Sequence, residues 1–394
     1  AGEFVNAKQF EGVAMDKIIE SPALRKNPLS YGPYYIKEVI QGEKVIFEAN
    51  PYFYKGEPKI KRIEMEILPP SQQVAAIKSG KYDLVFMAST DIFPEIEKFD
   101  NINIATRKAN YMNYIAFKLG KWDAEKNENI VNPNAKMYDI NLRKAIAYAI
   151  DNDAIGEQFF HGLASTAKSQ LSPSFPSLHN PDINGYRIDI EKAKKLLDDA
   201  GYKDVDGDGI REGKDGKPIK FTFAMMSGGE TAEPISQYYL QQWKSIGLNV
   251  ELVDGRLLDF NNFYDRVEAD DPAIDFCLAG IGFSSDPQQV SLFGKTAGFN
   301  ISRYTSDTLD AALSATVSPE AMDDQKRIEL YKNYERVFMD ELPVVPQLNK
   351  YEFLPVNKRV KMFDWTESRR GFGTEFDWSQ LELTAPEPIV DSKN

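Results

Sequence analysis

Cysteine and histidine are nearly absent from this chain of 394 residues, which contains one cysteine and two histidines. The single cysteine, Cys277, can form no intrachain disulfide, and its apolar neighbours indicate a small buried hydrophobic residue. His161 and His179 occur in unrelated contexts, so a multi-histidine metal site or a histidine-based catalytic triad has almost no material. The sequence therefore excludes a disulfide-stapled domain and the commonest histidine chemistry.

Long hydrophobic runs are also missing, and no stretch approaches the roughly 18 apolar residues of a membrane helix. The opening residues, AGEF, have neither the basic region nor the apolar core of a signal peptide. We expect any targeting segment to have been removed or left out.

Basic clusters are lacking as well, because 47 lysines and arginines face 60 aspartates and glutamates, for a net charge of −13. Phosphate backbones are bound chiefly through basic clusters, so we expect no nucleic acid as a partner. Catalytic motifs such as Gly-x-Ser-x-Gly and His-Glu-x-x-His are absent, and acidic pairs such as Asp270 and Asp271 are typical of solvated surface. We expect that the protein is not an enzyme, with a secreted hydrolase as the less favoured alternative.

What the chain does contain is an alternation of strand and helix signals, which predicts an α/β fold. Residues 31–68 favour strands, and residues 82–87 read as a further, buried strand. Asp139 is a candidate N-cap for the helix that follows it, and a second helix is predicted over residues 190–200, ending at Gly201.

An aspartate-rich loop is the sharpest chemical motif. It offers oxygen donors at positions 1, 3, 5, 7, 9 and 12 of a calcium-binding loop, with glycine at position 6. These donors are Asp204, Asp206, Asp208, the backbone carbonyl of Ile210, Glu212 and Asp215. Asp215 replaces the usual glutamate, and a strand rather than a helix is expected to follow. The motif is read either as a structural calcium site or as an ion-free acidic turn, and no cofactor is expected to be required.

Two segments present small and polar residues after predicted strands, where α/β sheets offer groups to a ligand. The first contains Met226, Ser227 and Gly228; it is either a simple connection or a loop lining a cleft. The second contains Ser284, Ser285 and Asp286; one of them either faces a ligand or is the N-cap of the next helix.

Several segments together resemble the dipeptide- and oligopeptide-binding proteins of ABC importers, family 5 of the extracellular solute-binding proteins. The matching segments are YGPY at 31–34, NPYFYKG at 50–56, SGKYD at 79–83, LRKAIAYAID at 142–151, EKAKKLL at 191–197 and LPVVP at 342–346. They follow the family order over nearly the whole chain. The aspartate-rich loop and residues 224–229 make the chain most similar to the Gram-positive peptide-binding members.

The resemblance implies a two-lobed, hinge-connected fold of the type II periplasmic binding proteins. Residues 1–110 would form part of lobe I, residues 111–345 lobe II, and residues 346–394 the return to lobe I with a C-terminal tail. The chain would be a C-terminal fragment, since the family's signal or lipoprotein segment and first part of the mature chain have no counterpart before Ala1.

The implied function is extracytoplasmic capture of oligopeptides for membrane permease subunits of an ABC importer, by a monomer held at the cell membrane through a lipid anchor on the missing segment. Another solute, such as a glycoside or a signalling peptide, is the alternative. Many family members pair an aspartate with the peptide's α-amino group. That position corresponds to Ser284 or Asp286 here, and we favour Asp286.

Overall fold

The computed structural model describes residues 12–14, 17–18, 30–229, 231–283, 286–361 and 377–393, without the side chains of residues 107–110. Two compact units result. The first unit comprises the described residues up to Arg107 and those from Phe353 onward, and the second unit comprises Lys108–Glu352. The chain passes between them within one strand near residue 107 and within another near residue 352. The lobe boundaries expected from the sequence stay a prediction.

Thirteen strands and ten α-helices are found in the described residues. The strands are β1 Tyr34–Ile40, β2 Lys44–Ala49, β3 Arg62–Glu66, β4 Ile102–Phe117, β5 Gly120–Asp123, β6 Glu128–Val131, β7 Ala164–Thr166, β8 Phe221–Met225, β9 Val250–Leu252, β10 Phe276–Gly282, β11 Val344–Asn357, β12 Val360–Lys361 and β13 Glu382–Leu383. The helices are α1 Gln73–Lys78, α2 Phe93–Ile96, α3 Ile140–Tyr148, α4 Asn152–Phe160, α5 Ile190–Ala200, α6 Ala232–Ser245, α7 Phe260–Glu268, α8 Val290–Phe293, α9 Asp307–Ala315 and α10 Asp324–Glu341. Among the described residues, none of these helices has both the length and the apolar character needed to cross a membrane.

The second unit is built on a six-stranded sheet with the order β7-β11-β4-β10-β8-β9. Strands β8, β9 and β10 are parallel to one another, and β10 is antiparallel to its other neighbour, β4. Five of the seven residues of β10 are buried, because the strand lies inside the sheet and is covered on both faces. Cys277 is one of them, fully buried as predicted, and burial raises the pKa of its thiol to about 12.

An aromatic cluster forms the centre of this unit's core. Trp243 of α6 packs against Phe223 of β8 and Phe276 of β10, with ring centroids 4.9 and 5.1 Å away. Tyr239 stacks on the same indole at 5.3 Å, and Trp243 Nε1 donates a 3.2 Å hydrogen bond to the carbonyl of Ile146. The indole is therefore both buried and satisfied, which fixes α6 against the sheet.

The first unit contains the antiparallel sheet β1-β2-β3 and the small pair β12-β13. Arg359 ties its segments together: its Nε and Nη2 donate to the two carboxylate oxygens of Asp83 at 2.5 and 2.8 Å. A bidentate pair of this kind fixes orientation as well as distance. It joins the chain after α1 to the chain after β11.

Of three local predictions from the sequence, two are confirmed and one is wrong. Asp139 caps α3, with its carboxylate accepting a 2.8 Å hydrogen bond from the amide of Asn141, and α5 ends before Gly201 in a left-handed conformation, both as predicted. The predicted strand over residues 82–87 is wrong. Only Leu84 forms an isolated bridge, to Val356, and the chain turns at Met87 with a φ of 52°.

Candidate functional site

The two polar segments selected from the sequence lie at the same edge of the six-stranded sheet. Strands β8 and β10 are parallel and adjacent, with Met225 paired to Leu278, and both segments follow the carboxyl ends of these strands. This edge is where open α/β sheets present groups to a ligand. The fold thus places residues 226–228 and residue 286 after neighbouring strands, although they are far apart in sequence.

The loop after β8 is held by contacts with Leu258, which lies in the connection that follows β9. Met226 forms a bridge with Leu258, and the amide of Ser227 donates a 2.7 Å hydrogen bond to the carbonyl of the same leucine. Gly228 and Gly229 then take φ values of 128° and 71°, which side-chain-bearing residues rarely adopt. Ser227 and Gly228 are exposed, so this loop can offer backbone groups at the edge.

Asp286 is exposed, with 62% of its side chain accessible. Its Oδ1 accepts a 2.9 Å hydrogen bond from the amide of Gln288 and lies 3.8 Å from Nη2 of Arg327 on α10. Asp286 is not the N-cap of the next helix, because α8 begins at Val290 and its N-cap is Gln289. Ser284 and Ser285 lie outside the described residues.

Gln289 anchors this segment, although no motif of the sequence points to it. Its side chain is 1% exposed. Nε2 donates a 2.8 Å hydrogen bond to the carbonyl of Gln170, and Oε1 accepts one at 2.9 Å from the hydroxyl of Tyr334 on α10. The nearest signal was its position just after Asp286 and Pro287; its partners are 119 and 45 residues away in sequence, where no local pattern points.

Tyr111 also lies at this edge, and its phenol accounts for the small residue at position 280 of β10. Gly282 at the end of β10 pairs with Tyr111 of β4. A methyl group added to Gly280 would collide with the phenol of Tyr111, so a larger residue there would force that ring to move. Burial raises the pKa of the Tyr111 hydroxyl to about 12, so it stays a neutral hydrogen-bonding group.

The aspartate-rich loop brings three of its predicted donors together. One carboxylate oxygen from each of Asp204, Asp206 and Asp208 lies within 4.8 Å of the others, and all three residues are exposed. Backbone amides of the loop fold it around them: Asp204 accepts hydrogen bonds from Gly207 at 2.7 Å and Gly209 at 3.0 Å. This arrangement concentrates negative charge on hard oxygen atoms, which suits calcium.

The remaining predicted donors are not in this group. Glu212 is 6% exposed and turns back to accept a 2.7 Å hydrogen bond from the amide of Val205. Asp215 lies in a following turn, where it accepts a 3.2 Å hydrogen bond from the amide of Lys217. Ile210, whose carbonyl was the predicted ligand, donates its amide to Asp208 at 2.7 Å. Calcium binding stays a prediction, and it would require Glu212 or water to complete the shell.

The sheet topology brings the loops after two neighbouring parallel strands to one edge, where a ligand can be bound. A family model described as bacterial extracellular solute-binding proteins, family 5 Middle, matches residues 5–300. The chain belongs to the family 5 bacterial extracellular solute-binding proteins.

Its relatives include oligopeptide-binding proteins. The chain is 30% identical over 379 residues to the oligopeptide-binding protein OppA of Lactococcus lactis subsp. lactis, an alignment that covers 95% of this chain and 62% of the relative. It is 28% identical over 337 residues to the oligopeptide-binding protein AppA of Bacillus subtilis, covering 84% of this chain and 57% of that protein. The chain thus spans about three fifths of the length of these relatives.

A solved structure supports the same assignment. Lactococcal OppA, in complex with an endogenous peptide and in the closed conformation, matches with a TM-score of 0.85 and 28% identity, covering 95% of this chain and 69% of that one. The predicted α/β class and type II binding-protein fold are confirmed by this match, and the predicted family is confirmed by the family model.

Proposed function

We propose that this chain is part of an extracytoplasmic protein that captures oligopeptides and delivers them to the permease subunits of an ABC importer. The observation that carries the proposal is the similarity over 95% of the chain to a protein named for oligopeptide binding. The sheet edge supports it, because exposed backbone at residues 227–228 and a carboxylate at residue 286 suit an extended peptide. We further propose that the whole protein binds without catalysing a reaction, acts as a monomer and is held at the membrane by a lipid anchor outside this chain.

The test is to purify the whole protein, incubate it with a mixed peptide library and identify retained molecules by mass spectrometry. Retained intact peptides are expected. Cleaved peptides would point to a hydrolase instead. Retention of a glycoside, or of one signalling peptide alone, would move the function to that solute.

Within this function, Asp286 is proposed to bind the α-amino group of the peptide. A carboxylate facing an ammonium group forms a charge-assisted hydrogen bond, and a bound peptide would shield it from water. Losing one partner of a desolvated pair costs about 2–5 kcal/mol, so Asp286→Ala should weaken peptides with a free N-terminus by about thirtyfold or more.

Calorimetry with free and N-acetylated forms of one retained peptide measures this effect. Acetylated peptides should bind weakly to the wild type and lose little further in the variant. Asp265→Ala is the control, since Asp265 is an exposed aspartate of α7 in the same unit. Equal binding of both peptide forms by wild type and Asp286→Ala would remove Asp286 from the site and leave Ser284 as the sequence-based alternative.

A further inference from the structure

A second concave site lies in the second unit, beside β7 and β11. Its cavity measures about 370 Å³. The lining residues that matter here are Lys168, His179, Asn349 and Lys350. None of the described residues that line it is an aspartate or a glutamate, although the chain carries 60 acidic residues.

A larger cavity of the first unit shows the contrast. It measures about 620 Å³, and its lining includes Glu64, Glu66 and Asp83 beside its basic residues. Basic side chains therefore line both cavities. Of the two, the cavity beside β7 and β11 has no carboxylate among its described lining residues to neutralise them. Its own positive charge remains available to a ligand.

Lys350 supplies the most buried positive charge in the lining of this cavity. Within the described part of the chain, its ammonium has no carboxylate partner and no hydrogen-bond acceptor, and it lies 4.4 Å from the centroid of the buried Phe160 ring. Burial lowers the pKa of Lys350 to about 8, so the group still carries its charge at neutral pH. A desolvated ammonium without a counter-ion is unfavourable, and an anion nearby would relieve that cost.

The other charges around the cavity leave this excess in place. His179 is paired with a carboxylate outside the lining, since its Nδ1 lies 2.9 Å from Oε1 of the fully buried Glu335. Asp153, which accepts the Thr166 hydroxyl at 2.6 Å, forms an ion pair with Arg187. These acids are already paired.

Lys168 adds a second charge, for it is exposed and has no ion-pair partner among the residues that the structure describes. Asn349 also lines the cavity, and its amide Nδ2 is a donor from which a carboxylate can accept, whereas its buried Oδ1 is an acceptor. Two lysines without ion-pair partners among the described residues and an amide N–H donor in one concave site suit a carboxylate, which accepts several hydrogen bonds.

We propose that the cavity beside β7 and β11 binds a carboxylate group of the ligand, with Lys350 and Lys168 supplying the positive charge. The inference rests on the proposed function, in which the ligand is a peptide. The carboxylate then belongs either to an acidic side chain or to the peptide C-terminus. The cavity is thereby a determinant of which peptides are preferred.

The experiment uses the whole protein and one retained peptide made in three forms: with glutamate at each position in turn, with glutamine in its place, and with an amidated C-terminus. Calorimetry gives the dissociation constant of each for the wild type, Lys350→Met and Lys168→Met. Methionine keeps the apolar stem and removes the charge. Lys244→Met, at an exposed lysine of α6 in the same unit, is the matched control.

One glutamate peptide, or the free C-terminal form, should bind about tenfold better than its neutral counterpart. That preference should disappear in Lys350→Met, weaken in Lys168→Met, persist in Lys244→Met and return in Lys350→Arg. The glutamate and amide series separate the two sources of carboxylate.

Binding of peptides with no preference for any carboxylate would overturn the inference while leaving the proposed function intact. So would an equal loss of acidic and neutral peptides in the lysine variants, since that reports on structure and not on charge. If no peptide is retained at all, the proposed function fails, and the inference fails with it.

Discussion

Replacing Glu335 by glutamine should destabilise the second unit at mildly acidic pH, and the loss should shrink as the pH rises. The carboxylate of Glu335 is fully buried on α10 and accepts hydrogen bonds from the Ser169 hydroxyl, from His179 Nδ1 at 2.9 Å and from the amide of Asn180. The other ring nitrogen of His179 lies 3.1 Å from the carbonyl of Ser172. Both partners of the ring are acceptors, so this arrangement favours the protonated ring, in which both nitrogens donate.

The direction of the pH effect follows from the pKa of His179. Burial alone would lower it, but the hydrogen bond and charge of Glu335 raise it above its ordinary value of 6.5. A pKa that is higher in the folded than in the unfolded state means that folding favours the protonated ring. The stabilisation is therefore fully present below about pH 6.5 and is lost as the pH rises through the folded pKa.

The size of the loss in unfolding free energy is set by the complete burial of the Glu335 side chain. Removing one partner of a buried ion pair costs about 3–5 kcal/mol, and glutamine keeps the volume, so we expect about 3 kcal/mol at low pH. For a unit of this size, that loss lowers the melting temperature by roughly 6–12 °C.

The assay is a double-mutant cycle of Glu335→Gln and His179→Gln, with urea unfolding at about pH 6 and about pH 9. The coupling free energy should be large at the lower pH and small at the higher. His161→Gln is the control, because His161 is exposed at the end of α4 and is the other histidine of the sequence. Equal coupling at both pH values would refute the pairing of a protonated His179 with the Glu335 carboxylate.

Three further predictions concern other parts of the fold. Removing calcium with a chelator should lower the melting temperature of the wild type, and Asp206→Ala should abolish that effect. Free calcium at 100 times its dissociation constant adds about 2.7 kcal/mol to the free energy of unfolding. A melting curve that responds neither to the chelator nor to added calcium would refute the site. Trp243→Ala should cost about 3–5 kcal/mol in urea unfolding, because it leaves a core cavity, whereas a loss below about 1 kcal/mol contradicts the packing argument. Asp270→Asn should cost about 3–5 kcal/mol at neutral pH, because Asp270 lies 2.5 Å from the Lys118 ammonium and 2.7 Å from Arg303 Nε. Burial alone would raise the pKa of Asp270, but its basic partners lower it below 3.8. The stabilisation should therefore be present above about pH 4 and disappear as the pH falls through the pKa of the folded state. A loss of stability in Asp270→Asn that does not depend on pH would contradict this prediction.

Elements with local signals could be predicted from the sequence. The helix α5 begins and ends where the pattern places it, because Gly201 ends it with a φ of 92° and its apolar face is regular. Asp139 was recognisable as an N-cap since its partner, Asn141, is two residues away. Residues 82–87 have the composition of a strand, yet a strand also needs a partner, and only Leu84 finds one among the described residues.

The candidate site depended on pairings that no local pattern encodes. The sequence indicated polar residues after two strands, but not that β8 and β10 are neighbours, which only the sheet topology reveals. One partner of Asp286 is Arg327, on a helix whose amphipathic pattern is typical of ordinary packing. His179 and Glu335 are 156 residues apart, so their ion pair was invisible until the fold brought them together.

The segment that carries Asp286 is held by a buried glutamine, whereas the contact of Asp286 with Arg327 is weak and exposed. Gln289, three residues on, is buried and has both polar atoms paired, which holds the chain in place. The pair between Asp286 and Arg327 is different, because it spans 3.8 Å with 62% and 36% of the side chains exposed. Exposed pairs of this kind contribute at most about 1 kcal/mol. If Asp286 binds the α-amino group of a peptide as proposed, its contact with Arg327 would offer little resistance, while Gln289 holds the segment.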